Sequence, residues 1–542
     1  MEDIVIKINK DPQNYDLNLE LGFNFLKKNN LYESKKIFEK LILIDNKRHE
    51  GYLNLSVILN NLNESEKAEK ILEKYLSNFG YNKHIVSSLA SLYYNNNNFE
   101  KLNKLIKNYI DLESNYLLYF LQSVIFEKDN NFEKQKQNLK KTIKLNKKFW
   151  LAYENLFNLY EKTNKISKFF ELVTSAKKIF INEPKLKYYT ALCFYRKNNE
   201  ELALKFITQE KIEQEFIKLN YISYLISLYD LLSKIYLQKN KYKFSLKYAI
   251  KRNSISIQSK KNKKYNKQII LDTINKYKNF YKSFKHPIKT YPNSYLFHKN
   301  LVFLIGFPRS GTTLLDSILR SHSKTNVLEE KPYLLNLRHE YFKNNSLENI
   351  LNISKSEVIK FQNNYFNSFD YDESKITIDK FPLNIIELGF IKKIFPNSKI
   401  ILALRHPLDT ILSCVLTSFK INEAMANYEN LETSAFFYNE VFDLFKTYKK
   451  QLNLRCHEVK YENVVSNFNE EIEKLLTFVG LKFENSVKKY HITAKNRDKI
   501  NTPSYNQVVK PIYKKSLYRH KKYPETDIIK PLVNDWINYF GY

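Results

Sequence analysis

The stretch LVFLIGFPRSGTTLL, residues 301–315, decides how the second half of this chain is read. It opens with a continuous apolar run of the kind that a strand buried on both faces needs, and the segment behind it has helical spacing. Between the two, Gly306 and Gly311 bracket a turn that presents successive backbone N–H groups, backed by a helix dipole, to an anion. Phosphate is the natural ligand of such a turn. The glycine spacing is that of the nucleotide-hydrolysing loop GxxxxGK[ST], yet Thr312 stands where the lysine belongs, so an ATPase or kinase loses its main cation. The charge sits instead at Arg309, whose guanidinium can fork onto phosphate oxygens.

Working outward from this loop, KITID at 375–379, KIILAL at 399–404 and LRCHEVKYE from 454 are further strand candidates. They alternate with helical stretches, including an amphipathic run from Asn467 to Val479, which predicts a parallel sheet covered on both faces. Arg405 follows KIILAL directly and opens RHPLDTILS, placing Ser413 about two turns into the next helix. Ligands sit at strand C-termini in open α/β sheets. An ATPase would place an aspartate here to organise magnesium. An arginine and a serine point to a second phosphate, separately held.

The first half has a different grammar. From about Tyr15 to Asn253 an apolar helical run, a turn rich in Asn and Lys, and a second amphipathic run recur, with landmarks at Tyr32, Asn63, Phe99, Phe132, Ile166, Glu200 and Tyr242. A step of about 34 residues is the period of tetratricopeptide repeats, a family that this half resembles. Apolar positions such as Leu17, Leu21, Phe25 and then Ile37, Leu41, Ile44 give each helix one face to bury, which stacking of neighbours completes. Gly22 and Ala90 fit the small-residue positions of such repeats, while Tyr, Ser and Lys replace others. The expected division is a solenoid of about seven helix pairs over 1–253, a basic junction with a helix over 254–298, and an α/β domain over 299–542.

The totals set limits. A chain of 542 residues, 43% hydrophobic and 15% aromatic, exceeds one compact domain. No run of about 20 apolar residues and no signal-peptide pattern at the start predict a chain that neither inserts in a membrane nor follows classical secretion. Three cysteines, Cys193, Cys414 and Cys456, lack metal-ligand spacing, and a reducing cytoplasm fits them. The net charge of +31 goes with abundant Lys, Asn, Ile, Tyr and Phe spread along the whole chain. It reads as solvated lysine faces rather than a nucleic-acid surface, with some steering of anionic ligands.

PRSGTTLL followed by RxPxxxxxS resembles the two phosphate-binding signatures of sulfotransferases that use 3′-phosphoadenosine-5′-phosphosulfate (PAPS). DKFPLN at 379–384, KYENVVSNF at 460–468 and TPSYNQVVKPIYKKS at 502–516 extend the resemblance. With the repeats, the chain looks like bacterial proteins that join tetratricopeptide repeats to a P-loop-type parallel-sheet sulfotransferase domain, relatives of protein-tyrosine sulfotransferases. The resemblance implies that Arg309, Ser310, Gly311, Thr312 and Thr313 wrap the 5′-phosphosulfate and that Arg405 and Ser413 hold the 3′-phosphate. It places a catalytic glutamate about twenty residues past the loop arginine. Glu330 in VLEEKP matches, with Glu329 as the alternative and a pair of solvated loop charges as the plain reading.

Lys380 in DKFP matches a lysine that stabilises charge on the transferring group or the departing phosphate. Tyr461 and Ser504 match nucleotide-contacting positions, and Arg519 a basic residue near the 3′-phosphate. His520 departs from the aromatic residue that the relatives carry next. His322 and His406 read as packing or hydrogen-bonding residues, and no metal is implied. The expected reaction is direct in-line displacement with Glu330 as base. The acceptor is a protein or peptide tyrosyl group held by the repeat groove, or a saccharide, lipid or small phenol. Two rival readings are a non-catalytic repeat scaffold with a nucleotide-binding domain and a kinase with an unusual loop.

Overall fold

The computed structural model describes residues 2–110, 115–259, 262, 264–283, 290–291, 300–343, 345–495 and 508–542. Two compact units result, Met1–Ala203 and Leu204–Tyr542. The sequence pattern divides the chain at 253, whereas packing groups the helix pair before that point with the second unit.

The first unit is a repeat of helix pairs: Tyr15–Lys27 with Leu31–Ile44, His49–Asn61 with Ser65–Phe79, Lys83–Asn95 with Phe99–Tyr109, Tyr116–Lys128 with Phe132–Leu145, and Trp150–Lys162 with Ile166–Lys177. Asparagine makes the turns. Asn29, Asn63, Asn97, Asn130 and Asn164 all sit at positive φ, between 54° and 62°, the left-handed conformation that asparagine tolerates better than other side-chain-bearing residues. The N–H of Asn30 then reaches back to the Phe25 carbonyl at 2.9 Å, satisfying a carbonyl left over at the helix end. The side chains of Asn30, Asn98 and Asn131 accept from Glu33, Lys101 and Lys134 N–H, capping the next helix. Within a pair, Gly22 admits the Phe38 ring, which would lie 2.9 Å from an added β-carbon. Phe38, Ala68, Leu102, Leu139 and Phe169 are fully buried on the second helices.

The second unit contains the pair Ile222–Gln238 and Tyr242–Gln258, the helix Lys267–Lys282 and a five-stranded sheet. The strands are β1 (Leu301–Gly306), β2 (Thr325–Glu329), β3 (Ile376–Lys380), β4 (Lys399–Leu404) and β5 (His457–Lys460), all parallel in the order β2-β3-β1-β4-β5. Alternation along β1 builds two cores. Leu301, Phe303 and Ile305 face the helices Pro407–Leu416 and Leu431–Gln451, while Val302 and Leu304 face Thr312–Arg320 and Phe468–Val479. Helix Lys267–Lys282 belongs to the first of these cores, that of Leu301, Phe303 and Ile305. It buries Leu271, Ile274, Tyr277 and Tyr281, and a β-carbon on Gly389 would collide with the Tyr281 hydroxyl. Among the described residues no helix is long and apolar enough to cross a membrane.

Candidate active site

The strand order switches direction at β1, whose neighbours are β3 and β4, and the crevice beyond β1 and β4 is where an open parallel sheet takes its ligand. Gly306 at the end of β1 pairs with Ala403 of β4, and a β-carbon on it would lie 2.6 Å from the Ala403 carbonyl. The loop then turns through Arg309 at φ +72° and Gly311 at φ +99°, and the helix Thr312–Arg320 begins. Tyr461 closes over Gly311, where an added β-carbon would meet its ring at 3.0 Å.

The segment Arg405–Ser413 reaches the same crevice from β4. Arg405 is 8% exposed, donates to the Ser516 carbonyl at 2.6 Å, and lies over the Tyr461 ring at 5.1 Å. Asp409, one turn into the helix Pro407–Leu416, faces the Arg405 guanidinium at 3.4 Å and accepts from both the backbone N–H and Nδ1 of His520, at 2.7 and 2.8 Å. Because a carboxylate only accepts, His520 carries a proton on Nδ1. Burial pushes the Asp409 carboxyl upward, but His520 and Arg405 outweigh it and hold the group below its ordinary value. The His520 ring stacks on His406 at 4.3 Å. Burial and the neighbouring His520 push His406 down to about 4, leaving it neutral near pH 7. His322 accepts from Lys324 N–H at Nδ1 and donates from Nε2 to the Lys482 carbonyl, a packing role.

Lys380 ends β3 and is fully buried. Its Nζ lies 2.7 Å from Glu330, 3.7 Å from Asp316 and 3.9 Å from Glu329, a buried cation among three carboxylates. The β2–β3 register, Glu329 opposite Lys380, sets this up, and the Glu330 N–H bonds the Lys380 carbonyl at 2.9 Å. Glu330 turns out of the strand at φ +47° and carries its carboxylate to the cavity wall. Asp316 projects from the loop helix and also pairs with Arg320 at 2.9 Å.

A cavity of about 320 Å³ gathers these parts. Arg309, Gly311, Thr312, Thr313, Glu330, Arg405, Ser413, Tyr461 and Arg519 line it. Lys380 stands behind Glu330 rather than in the wall, Ser310 is buried within the loop and outside the wall, and Ser504 lies outside the described residues. Three guanidiniums and Lys420 face the space, and Glu330 is the single carboxylate in the described lining. Burial, with the Arg405 and Arg519 charges beside it, pushes Arg309 down to about 10, so it still carries its proton near pH 7. Among the described residues, Ser310 Oγ and Arg405 Nε are buried without a hydrogen-bond partner. A buried donor left unmade costs about 1–3 kcal/mol, and an anion in the cavity would offset the crowding of these like charges. The donor set therefore fits a ligand with two separated anionic groups.

Several site residues escaped the sequence reading. Asp316, Asp409 and Glu462, which accepts from the His406 N–H at 3.0 Å, look like ordinary helix charges until packing buries them. Lys420 was one lysine among many, and Ser516 contributes its backbone carbonyl, which no side-chain pattern announces. β2 escaped because Thr325–Glu329 is a half-exposed edge strand without a continuous apolar run.

Comparison with known proteins comes to the same domain. Residues 302–485 match the model of the sulfotransferase family. An uncharacterized protein of Aquifex aeolicus is 28% identical over 240 residues, 42% of this chain and 31% of its own length. Protein-tyrosine sulfotransferase A of Caenorhabditis elegans is 26% identical over 231 residues, 39% of this chain and 58% of its own. The match thus spans less than two thirds of these relatives. Among solved structures, a tetratricopeptide repeat protein from Parabacteroides merdae aligns at 16% identity with a TM-score of 0.34, over 46% of this chain and 96% of its own. The repeat assignment itself rests on the helix pairs and asparagine turns above.

Proposed function

We propose, from the premise of tetratricopeptide-type repeats followed by a sulfotransferase-family domain, that this chain transfers a sulfuryl group from PAPS to an acceptor hydroxyl. One observation carries the proposal: three guanidiniums, Arg309 after β1, Arg405 after β4 and Arg519 from the C-terminal segment, face a single cavity whose one described carboxylate is Glu330. The loop N–H groups of 310–313, with Arg309, suit the 5′-phosphosulfate. Arg405, Ser413 and Arg519 suit the 3′-phosphate, and Tyr461 offers a ring beside the nucleotide. Bound there, PAPS supplies the sulfuryl group, and adenosine 3′,5′-bisphosphate is what remains.

Glu330 takes the proton of the acceptor hydroxyl as its oxygen bonds to sulfur and the sulfur–oxygen bond to the 5′-phosphate breaks. Lys380, behind Glu330, keeps that carboxylate in place and adds positive charge as negative charge builds on the leaving oxygen. Holding both reactants in one cavity replaces a bimolecular collision with an oriented event. The acceptor side of the wall, with Phe381, Leu383, Phe419 and Met425, is apolar and suits the body of a tyrosyl or other hydroxyl-bearing group. Recruitment of a protein acceptor by the repeats, and a cytoplasmic setting in which Cys193, Cys414 and Cys456 stay free, complete the reading.

The test is thermal stabilisation of the protein by adenosine 3′,5′-bisphosphate, beside ATP with magnesium, repeated on Arg405→Ala. A ligand that binds only the folded state raises the midpoint by mass action. Stabilisation by the bisphosphate alone, lost in the variant, supports sulfuryl transfer. Preference for ATP with magnesium supports a kinase, and no binding supports a scaffold.

A further inference from the structure

The helix Pro407–Leu416 carries Ser413 and follows Arg405, so its placement decides where the second anionic group is held. A helix of this kind leaves its last four carbonyls without intrahelical partners. Here every one is met. The Ser413 carbonyl takes Thr417 Oγ1 at 2.6 Å, and the Cys414 carbonyl takes the Thr417 N–H at 3.2 Å. The other two are met by the helix Tyr242–Gln258: Arg252 donates to Val415 at 2.9 Å and Leu416 at 3.3 Å, and Asn253 donates to Val415 at 2.9 Å. Arg252 is 2% exposed and paired with Asp230 at 2.8 Å. Asn253 also donates to the Tyr428 carbonyl at 2.8 Å, tying down the turn Met425–Tyr428, whose first residue lines the cavity.

We infer that Arg252, with Asn253, is a positioning residue of the nucleotide site: a guanidinium from the last helix pair holds the C-terminal turn of the helix that carries Ser413. The inference rests on the nucleotide reading above. A buried cation at a helix C-terminus both satisfies the carbonyls and complements the helix dipole. Without it the Leu416 carbonyl loses its partner and the Val415 carbonyl keeps only Asn253, so the turn that carries Ser413 is held less firmly.

The experiment titrates the full-length protein with adenosine 3′,5′-bisphosphate and with adenosine 5′-monophosphate, in the wild type and in Arg252→Met, Arg252→Lys and Asn253→Leu. The wild type favours the bisphosphate. In Arg252→Met that preference falls about tenfold, the order of loss seen when a partner behind a ligand-holding group is removed, while 5′-monophosphate affinity holds. Arg252→Lys, which keeps the charge but not the fork, falls between. A merely structural role lowers the melting temperature and weakens both nucleotides alike, and an unchanged preference in the folded variants overturns the inference. If Arg252→Met does not fold, Arg252→Lys and Asn253→Leu decide by the same ratio. A wild type indifferent to the 3′-phosphate instead removes the nucleotide reading, and the inference with it.

Discussion

Arg309 Nε donates to Ser413 Oγ across 3.1 Å, joining the β1 loop to the β4 helix over 104 residues of chain. The two segments proposed to hold the nucleotide's anionic groups are thus one hydrogen-bonded unit. Substitutions at the two positions are expected to couple. In a double-mutant cycle of Arg309→Met and Ser413→Ala, read as affinity for adenosine 3′,5′-bisphosphate, the interaction energy falls within about 0.5–3 kcal/mol. Strict additivity would mean that the two segments bind independently.

Glu330 and Glu329 separate by position. Glu330 lines the cavity, whereas Glu329 is the buried end of β2. Glu330→Gln should lower turnover by roughly 10²–10⁴-fold, the usual contribution of a general base, while leaving bisphosphate affinity intact. A larger fall in Glu329→Gln would reverse the assignment.

Lys380 holds three carboxylates together in the interior. Removing one partner from such a cluster leaves buried charge uncompensated, so Lys380→Met should cost about 3–5 kcal/mol in urea unfolding at pH 7, as well as activity. A folded, active variant of wild-type stability would place the charge balance elsewhere.

Asp379, one residue earlier, faces the other core, where its Oδ2 accepts from the Tyr365 hydroxyl at 2.6 Å. Burial raises it from 3.8 to about 7, against the opposing pull of Tyr365 and Lys380. Between those values the folded state keeps a proton that the unfolded state has lost. Stability from this group therefore falls as pH rises from about 4 to about 7 and is level beyond. Asp379→Asn should flatten that slope in denaturation curves taken across the range, and an unaltered slope would refute it.

The parts legible in the sequence were those with a local cause. The loop 306–313 announces itself because a strand, two glycines and a helix start are contiguous, and Arg405 with Ser413 sits on a second strand-to-helix passage. The repeats were legible by period, and the structure supplies the reason. An asparagine in the left-handed conformation ends the first helix of each pair, which is how a chain with only 8 glycines makes so many helix stops. Long-range causes were not legible. Asp316 meets Lys380 only because β3 lies beside β1, and Arg252 is one basic residue among 88 until its burial singles it out.

The grip of Arg252 and Asn253 on the Val415 and Leu416 carbonyls also fixes where this chain can be cut or grafted. A fragment started at 260, where the repeat pattern has ended, discards the clamp along with the repeats. One started at 204 keeps it. The cut then falls before the pair Ile222–Gln258, which has to travel with the α/β domain.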